Sequence, residues 1–215
     1  MIRKFISEVI LLLAIISSLC AFLKKLITTR IRDKNAYIAT TLDKEKRLTE
    51  LPFNKLIFVG GSNLTFGLDC KKISDSIKMP TVNMSVHAGL GLDFMLKETM
   101  ASIKQGDVII LSPEYYLGKD GDRKLFAQLL DINPQASKYV INTFNDNIRL
   151  LVAELQRCVS GLFYTFITNP SPSVYEKNNF TEEGDMVGHL EIANSTSFQE
   201  EGKCLFLTII MKLYQ

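Results

Sequence analysis

The strongest constraint on this chain is an apolar run that stops at two glycines and a serine, Lys55-Leu-Ile-Phe-Val-Gly-Gly-Ser62-Asn-Leu-Thr-Phe-Gly67. Leu56 to Val59 has the length and the β-branched or aromatic character of a buried strand, and Gly60 and Gly61 allow backbone angles closed to other residues. A strand, a sharp turn and a helix in that order put Ser62 at the carboxyl end of a strand. Open α/β sheets bind ligands there, and free helix N–H groups converge on the same point. Ser62 is placed as a nucleophile would be. The same pattern also serves an ordinary strand-to-helix connection in which Ser62 or Asn63 caps the helix. It is not a phosphate-binding loop, because Leu68 follows Gly67 and no lysine is present to reach a phosphate.

Downstream, the apolar positions Leu68, Ile73 and Ile77 predict a short amphipathic helix ended by Pro80, followed by a second strand over Thr81–Ser85. A glycine-rich stretch, Val86-His-Ala-Gly-Leu-Gly-Leu92, leads into a helix from Asp93 to Lys104. Gly106-Asp107 then turns into Val108-Ile-Ile-Leu-Ser-Pro113, the clearest strand in the sequence. Three strands separated by two helices predict right-handed βαβ units and an α/β fold, a parallel sheet covered on both faces. Further helices are expected over Lys124–Leu130 and from Ser137 to about Val159. Val140, Phe144, Ile148, Leu151, Val152 and Leu155 trace one apolar face of the second, which reads as core. Phe163–Thr168 reads as helix end or strand, Asn169-Pro-Ser-Pro172 breaks the pattern, and Cys204–Gln215 is apolar enough for a last strand but too short for a membrane span.

A chain of 215 residues suits one domain plus an anchor, and a net charge of +2 argues against a nucleic-acid partner, which calls for a concentrated basic face. Four cysteines spread without a Cys-x-x-Cys pair suggest neither a metal site nor a disulfide framework. Residues 1–25 carry Arg3 and Lys4, an apolar run from Phe5 to Leu23, then Lys24 and Lys25. The run just reaches the length of a transmembrane helix, and Ser18-Leu-Cys20 fits a cleavage site poorly, so an uncleaved single-pass anchor in the bilayer of the cell membrane is expected. The larger basic cluster after the run points the globular part inward by the positive-inside rule. Residues 26–52 read as a juxtamembrane helix or linker, and 53–215 as the α/β domain.

Three blocks, Gly60-Gly-Ser62-Asn63, Val82-Asn-Met-Ser-Val-His-Ala-Gly89 and Leu111-Ser-Pro-Glu-Tyr115, resemble the SGNH (GDSL-type) hydrolases. With the amino-terminal anchor, the chain is similar to the membrane-anchored bacterial envelope branch that includes relatives of the D-alanyl-lipoteichoic acid biosynthesis protein and of alginate acetyltransferases. The resemblance spans roughly residues 50 to 120. It implies a flavodoxin-like three-layer sheet, incomplete here, and an extracytoplasmic serine esterase or O-acyltransferase acting on envelope polysaccharide with an acyl donor protein and no cofactor.

By that resemblance Ser62 is the nucleophile, and the Ser62 and Ser85 main-chain N–H groups hold the oxyanion. The third block has Ser112-Pro-Glu114 where the family has asparagine, so Asn63 or Asn83 would stand in as donor. The family's carboxyl-terminal Asp-x-x-His is matched only by Asp185-Met-Val-Gly-His189, one residue too long, although an i, i+4 pair can share a helix face. His189 would be the base and Asp185 its orienter, or the chain lacks the segment carrying the pair. His87 would contact substrate or assist; Glu114 would contact substrate, cap a helix or form a salt bridge. The alternatives are a non-catalytic accessory protein that keeps the sheet without a base, and a nucleotide-binding flavodoxin-like domain.

Overall fold

A computed structural model describes residues 2–31, 35–114, 120–167, 175–193 and 209–212. In chain order the elements are α1 (Ile2–Ile31), α2 (Thr40–Glu50), β1 (Leu56–Gly60), α3 (Ser62–Gly67), α4 (Cys70–Ile77), β2 (Thr81–Asn83), α5 (Gly91–Met100), β3 (Val108–Ser112), α6 (Arg123–Ile132), α7 (Ser137–Val140), α8 (Phe144–Ile167), α9 (Gly188–Ala193) and β4 (Ile209–Lys212). The fold is α/β. β1 lies between β2 and β3, parallel to both, and β4 runs antiparallel along the outer side of β3.

Alternation along β1 divides the interior into two unequal layers. Ile57 and Val59 join Val82, Ile109 and Leu111 in the larger core, against Leu48 of α2, Phe94 and Met95 of α5, Phe126 and Leu129 of α6 and Leu150 of α8. Leu56 and Phe58 face the smaller cluster, with Leu64 of α3 and Cys70 at the start of α4. Burial on both faces explains why β1 reads as a continuous apolar run rather than an alternating one. At the amino ends of the parallel strands Lys55 and Asp107 are wholly buried, with Nζ 2.7 Å from Oδ2. The Lys55 and Lys104 amides also donate to Asp107, at 3.2 and 2.8 Å.

Residues 26–52 do more than link. Ile38 and Leu48 are 1% and 0% exposed within the larger core, so the folded unit begins before residue 53. The segment from Thr181 to Met186 runs along the free side of β2, where Asn83 N–H donates to the Glu183 carbonyl at 2.8 Å and Met186 N–H to the Thr65 carbonyl at 2.8 Å.

The helix expected from Ser137 to Val159 is two helices. Thr143 and Asp146 form a reciprocal capping box: Thr143 N–H donates to the Asp146 carboxylate at 3.0 Å and Asp146 N–H to the Thr143 hydroxyl at 3.2 Å, which starts α8 afresh at Phe144. The restart turns the helix, and the expected core stripe faces outward. Val140 is buried, but Phe144, Ile148, Leu151, Val152 and Leu155 are 42–80% exposed, while Leu150, Ala153 and Cys158 are buried instead. Asn169–Pro172 lies outside the described residues.

The amino-terminal run forms one helix, α1, which packs against α8. Among the described residues no helix is long and apolar enough to cross a membrane. The side chains of Leu13, Ile16, Cys20 and Leu23 in the apolar run lie outside that set. Phe5, Ile10, Leu11 and Leu19 are each more than half exposed.

Candidate functional site

β1 and β3 are in register from Leu56↔Val108 to Gly60↔Ser112, so the segments that follow them emerge side by side. Gly60 is needed for that closeness: a Cβ there would meet the Ser112 carbonyl oxygen at 2.6 Å. Gly61 is needed for a different reason, since its missing side chain leaves the space that the Glu114 carboxylate fills. Ser62 is then the first residue of α3, half-buried, with Gly61 in extended backbone at the cap position and offering no side chain of its own to cap the helix.

The capping alternative for Ser62 is therefore not what occurs. Its hydroxyl lies 3.3 Å from Glu114 Oε1, and the same oxygen accepts the Asn63 backbone N–H at 3.1 Å. A helix N-terminus leaves its first N–H groups without intrahelical partners. Here one of them is directed at a negative oxygen beside the serine. The Asn63 side chain accepts the adjacent Leu64 N–H at 2.9 Å. Glu114, which as a sequence had substrate contact, capping and a salt bridge open to it, is bonded to the serine and to the helix N-terminus.

The second block is fixed around this point. The Val86 carbonyl accepts from the Tyr37 hydroxyl at 2.6 Å and from Thr65 Oγ1 at 3.0 Å, tying the loop after β2 to α3. Burial pushes the Tyr37 phenol well above its ordinary range, opposed by its bond to Thr65, so it stays a neutral donor. Neither residue was singled out by sequence. Tyr37 lies in the stretch read as a linker, and nothing in its neighbours signals a reach of forty-nine residues to Val86.

Ser85 and Asn83 are buried, and they bond to one another. Ser85 N–H donates to Asn83 Oδ1 at 3.0 Å, and Asn83 Nδ2 donates to the Leu64 carbonyl at 3.0 Å and to Asp185 Oδ1 at 2.8 Å. The two donors expected around the oxyanion are thus bonded within the fold. Asp185 also accepts the Cys70 N–H at 2.6 Å, at the start of α4. It precedes α9 rather than lying on it, so the i, i+4 geometry that would pair it with His189 does not form. Burial, then the nearby Asp185 carboxylate, pushes the Cys70 thiol up, so it is not a thiolate.

No hydrogen bond joins either histidine to Ser62 among the described residues. His189 sets its ring edge-on to Phe66 at 5.2 Å, and its Nδ1 is buried without a partner among the described residues. Phe66 is four residues from Ser62 on α3, so the imidazole approaches the serine's helix through an aromatic ring. His87 is exposed, and its Nδ1 accepts the Gly89 N–H at 2.9 Å. A neutral ring that accepts through Nδ1 carries its proton on Nε2, which makes the free nitrogen a donor rather than a base. Tyr37, Phe66, His87, Tyr175 and Phe180 form an aromatic group beside the site.

Behind the loop, Lys44 is buried and donates to the carbonyls of Ser85 and Gly184, the latter at 2.7 Å. Burial lowers its pKa to about 7, an effect partly offset by Asp185 and Glu98. Glu98, also buried, is raised to about 8 by desolvation and then by Glu45. Among the described residues no group of three or more His, Cys, Asp and Glu is arranged to hold a metal ion. No protein-family model, curated protein or solved structure matches the chain.

Proposed function

We propose that this is a membrane-anchored, SGNH-like protein of the bacterial envelope in which Ser62 carries an acyl group, as a serine esterase or O-acyltransferase on surface polysaccharide. The observation that carries the reading is the meeting of the Ser62 hydroxyl and the Asn63 N–H on one anionic oxygen, at 3.3 and 3.1 Å. It lies beyond the carboxyl ends of β1 and β3. The strand order β2-β1-β3 makes that crevice the point where connections leave in opposite directions, as in flavodoxin-like sheets.

In this scheme Ser62 Oγ attacks the carbonyl carbon of an ester and its proton passes to Glu114, the carboxylate bonded to it. The new Oγ–acyl bond forms as the ester C–O bond breaks, and the departing alkoxide takes the proton back from Glu114. A sugar hydroxyl or water then removes the acyl group by the same route reversed. With Glu114 neutral, the Asn63 N–H is released to the developing oxyanion. The apolar run Phe5–Leu23, contained in the one helix α1, supports the anchor; an external globular part comes from the resemblance alone, against the basic cluster that follows the run.

One observation favours the second reading, a non-catalytic accessory protein: Glu114 already takes the Asn63 N–H and Asn83 the Ser85 N–H, and among the described residues no imidazole is bonded to the serine. A fluorophosphonate probe and p-nitrophenyl acetate separate the two. Labelling and ester hydrolysis that vanish in Ser62→Ala support the enzyme, and wild-type protein that is neither labelled nor active leaves the accessory role. Alkaline phosphatase fused after residue 215 should be active if the domain is external; a silent fusion removes the polysaccharide substrate.

A further inference from the structure

We propose that α8 lies along the membrane surface, its exposed apolar face inserted among the lipids beside α1. Phe144, Ile148, Leu151, Val152, Leu155 and Val159 recur at i, i+4, i+7, i+8, i+11 and i+15, a stripe about 100° wide. Such a stripe normally faces a core, yet here every member is 42–80% exposed. The opposite face is fully used: Leu150 and Ala153 are buried and Arg157 pairs with Asp131 of α6. The stripe runs about 22 Å along the helix, long enough to lie on a bilayer as an amphipathic interfacial helix does.

Two observations make phospholipid the occupant rather than another protein. A helix of the same chemistry packs against α8: α1 exposes Phe5, Ile10, Leu11 and Leu19, so both members of the packed pair present apolar side chains to their surroundings. The shallow hollow between α6 and α8 that borders the stripe is lined by Ile148 and Val152 together with the cations Arg123, Lys124 and Arg149 against one carboxylate, Asp122. Basic side chains flanking an inserted apolar face suit anionic headgroups. The proposal rests on the anchor in the preceding reading, and the test separates the two.

The chain contains no tryptophan, so a single introduced indole reports its own surroundings. Full-length Leu151→Trp, with Leu155→Trp as a second site on the stripe and Leu12→Trp in α1 as reference, is reconstituted in phosphatidylcholine–phosphatidylglycerol vesicles. Emission of the α8 variants should shift to the blue and be quenched by lipids brominated near the headgroup end of the chain, at the depth of about 5–10 Å an interfacial helix reaches. Quenching at position 12 with water-like emission at 151 and 155 overturns the proposal and leaves the anchor standing. Blue-shifted emission that bromine does not quench, and that fades on dilution of the protein, overturns it in favour of a second copy. No quenching at any of the three positions removes both.

Discussion

The same two strands end in two very different polar pairs. At the amino ends of β1 and β3, Lys55 and Asp107 are wholly buried, and Asp107 takes two backbone amides besides the ammonium. At the carboxyl ends, Ser62 and Glu114 are half-buried, joined at 3.3 Å, and the carboxylate has an amide but, among the described residues, no cation bonded to it. One end is closed and complete; the other holds an anion with lone pairs to spare. Matched atoms stabilise a fold, whereas a partly satisfied group at a strand's carboxyl end is available to a ligand.

The largest test of that contrast is Asp107→Ala, which strands a buried ammonium and should cost about 3–5 kcal/mol in urea denaturation. A loss below about 1 kcal/mol would mean that water reaches Lys55 and that the two ends are alike. Next come the glycines. Gly60→Ala drives a Cβ into the Ser112 carbonyl and should cost about 1–3 kcal/mol, since backbone must move. Gly61→Ala meets the end of the Glu114 side chain first and the Ala88 Cβ less closely, at 3.1 Å, but no backbone, so it should displace the carboxylate at smaller cost and change labelling of Ser62. Equal losses from the two would show that Glu114 is as fixed as backbone.

A third set of buried charges sharpens the comparison through pH. Glu98, raised from 4.5 to about 8, binds a proton in the folded chain that the unfolded chain has lost, so stability should fall between pH 4.5 and 8. Lys44, lowered from 10.5 to about 7, binds its proton more weakly when folded, so stability should rise from pH 7 to 10.5. The two overlap in a minimum between pH 7 and 8. Glu98→Gln should abolish the falling arm in denaturation curves taken across pH, and an unchanged profile would show that Glu98 titrates in the folded chain as it does unfolded. The smallest effect belongs to Glu114→Gln, within about 0.5 kcal/mol of wild type because the site is half open. Its readout is the rate of fluorophosphonate labelling, which should drop if Glu114 takes the serine's proton. An unchanged rate would deny it that role.

The parts of the molecule legible in sequence are those in which local pattern and final environment agree. β1 and β3 read correctly because burial within the sheet makes their runs apolar, β2 was found but ends at Asn83, two residues short of the expected Ser85, and Gly60-Gly61 marked the turn because backbone and carboxylate press there. The α8 stripe misled because periodicity identifies an apolar face without saying what covers it. The capping box at Thr143 and Asp146 was visible as a Thr-x-x-Asp spacing, but the apolar positions continued across it and hid the break. At the site, Ser62 could be located from its strand. The partners of Asp185 could not, since Cys70 and Asn83 are 115 and 102 residues away. Only the closed chain brings them together.

The strip from Thr181 to Met186 has a consequence for life in a crowded cell. An unpaired β-strand invites the same strand of a neighbouring molecule, and β2 would offer such an invitation on its free side. The Glu183 carbonyl answers the Asn83 amide from within the chain, while Arg47 holds Glu182 and Glu183 from α2. A truncation upstream of Glu183 would thus do more than remove Asp185 and His189: it would uncover a template on which copies could zip together and precipitate.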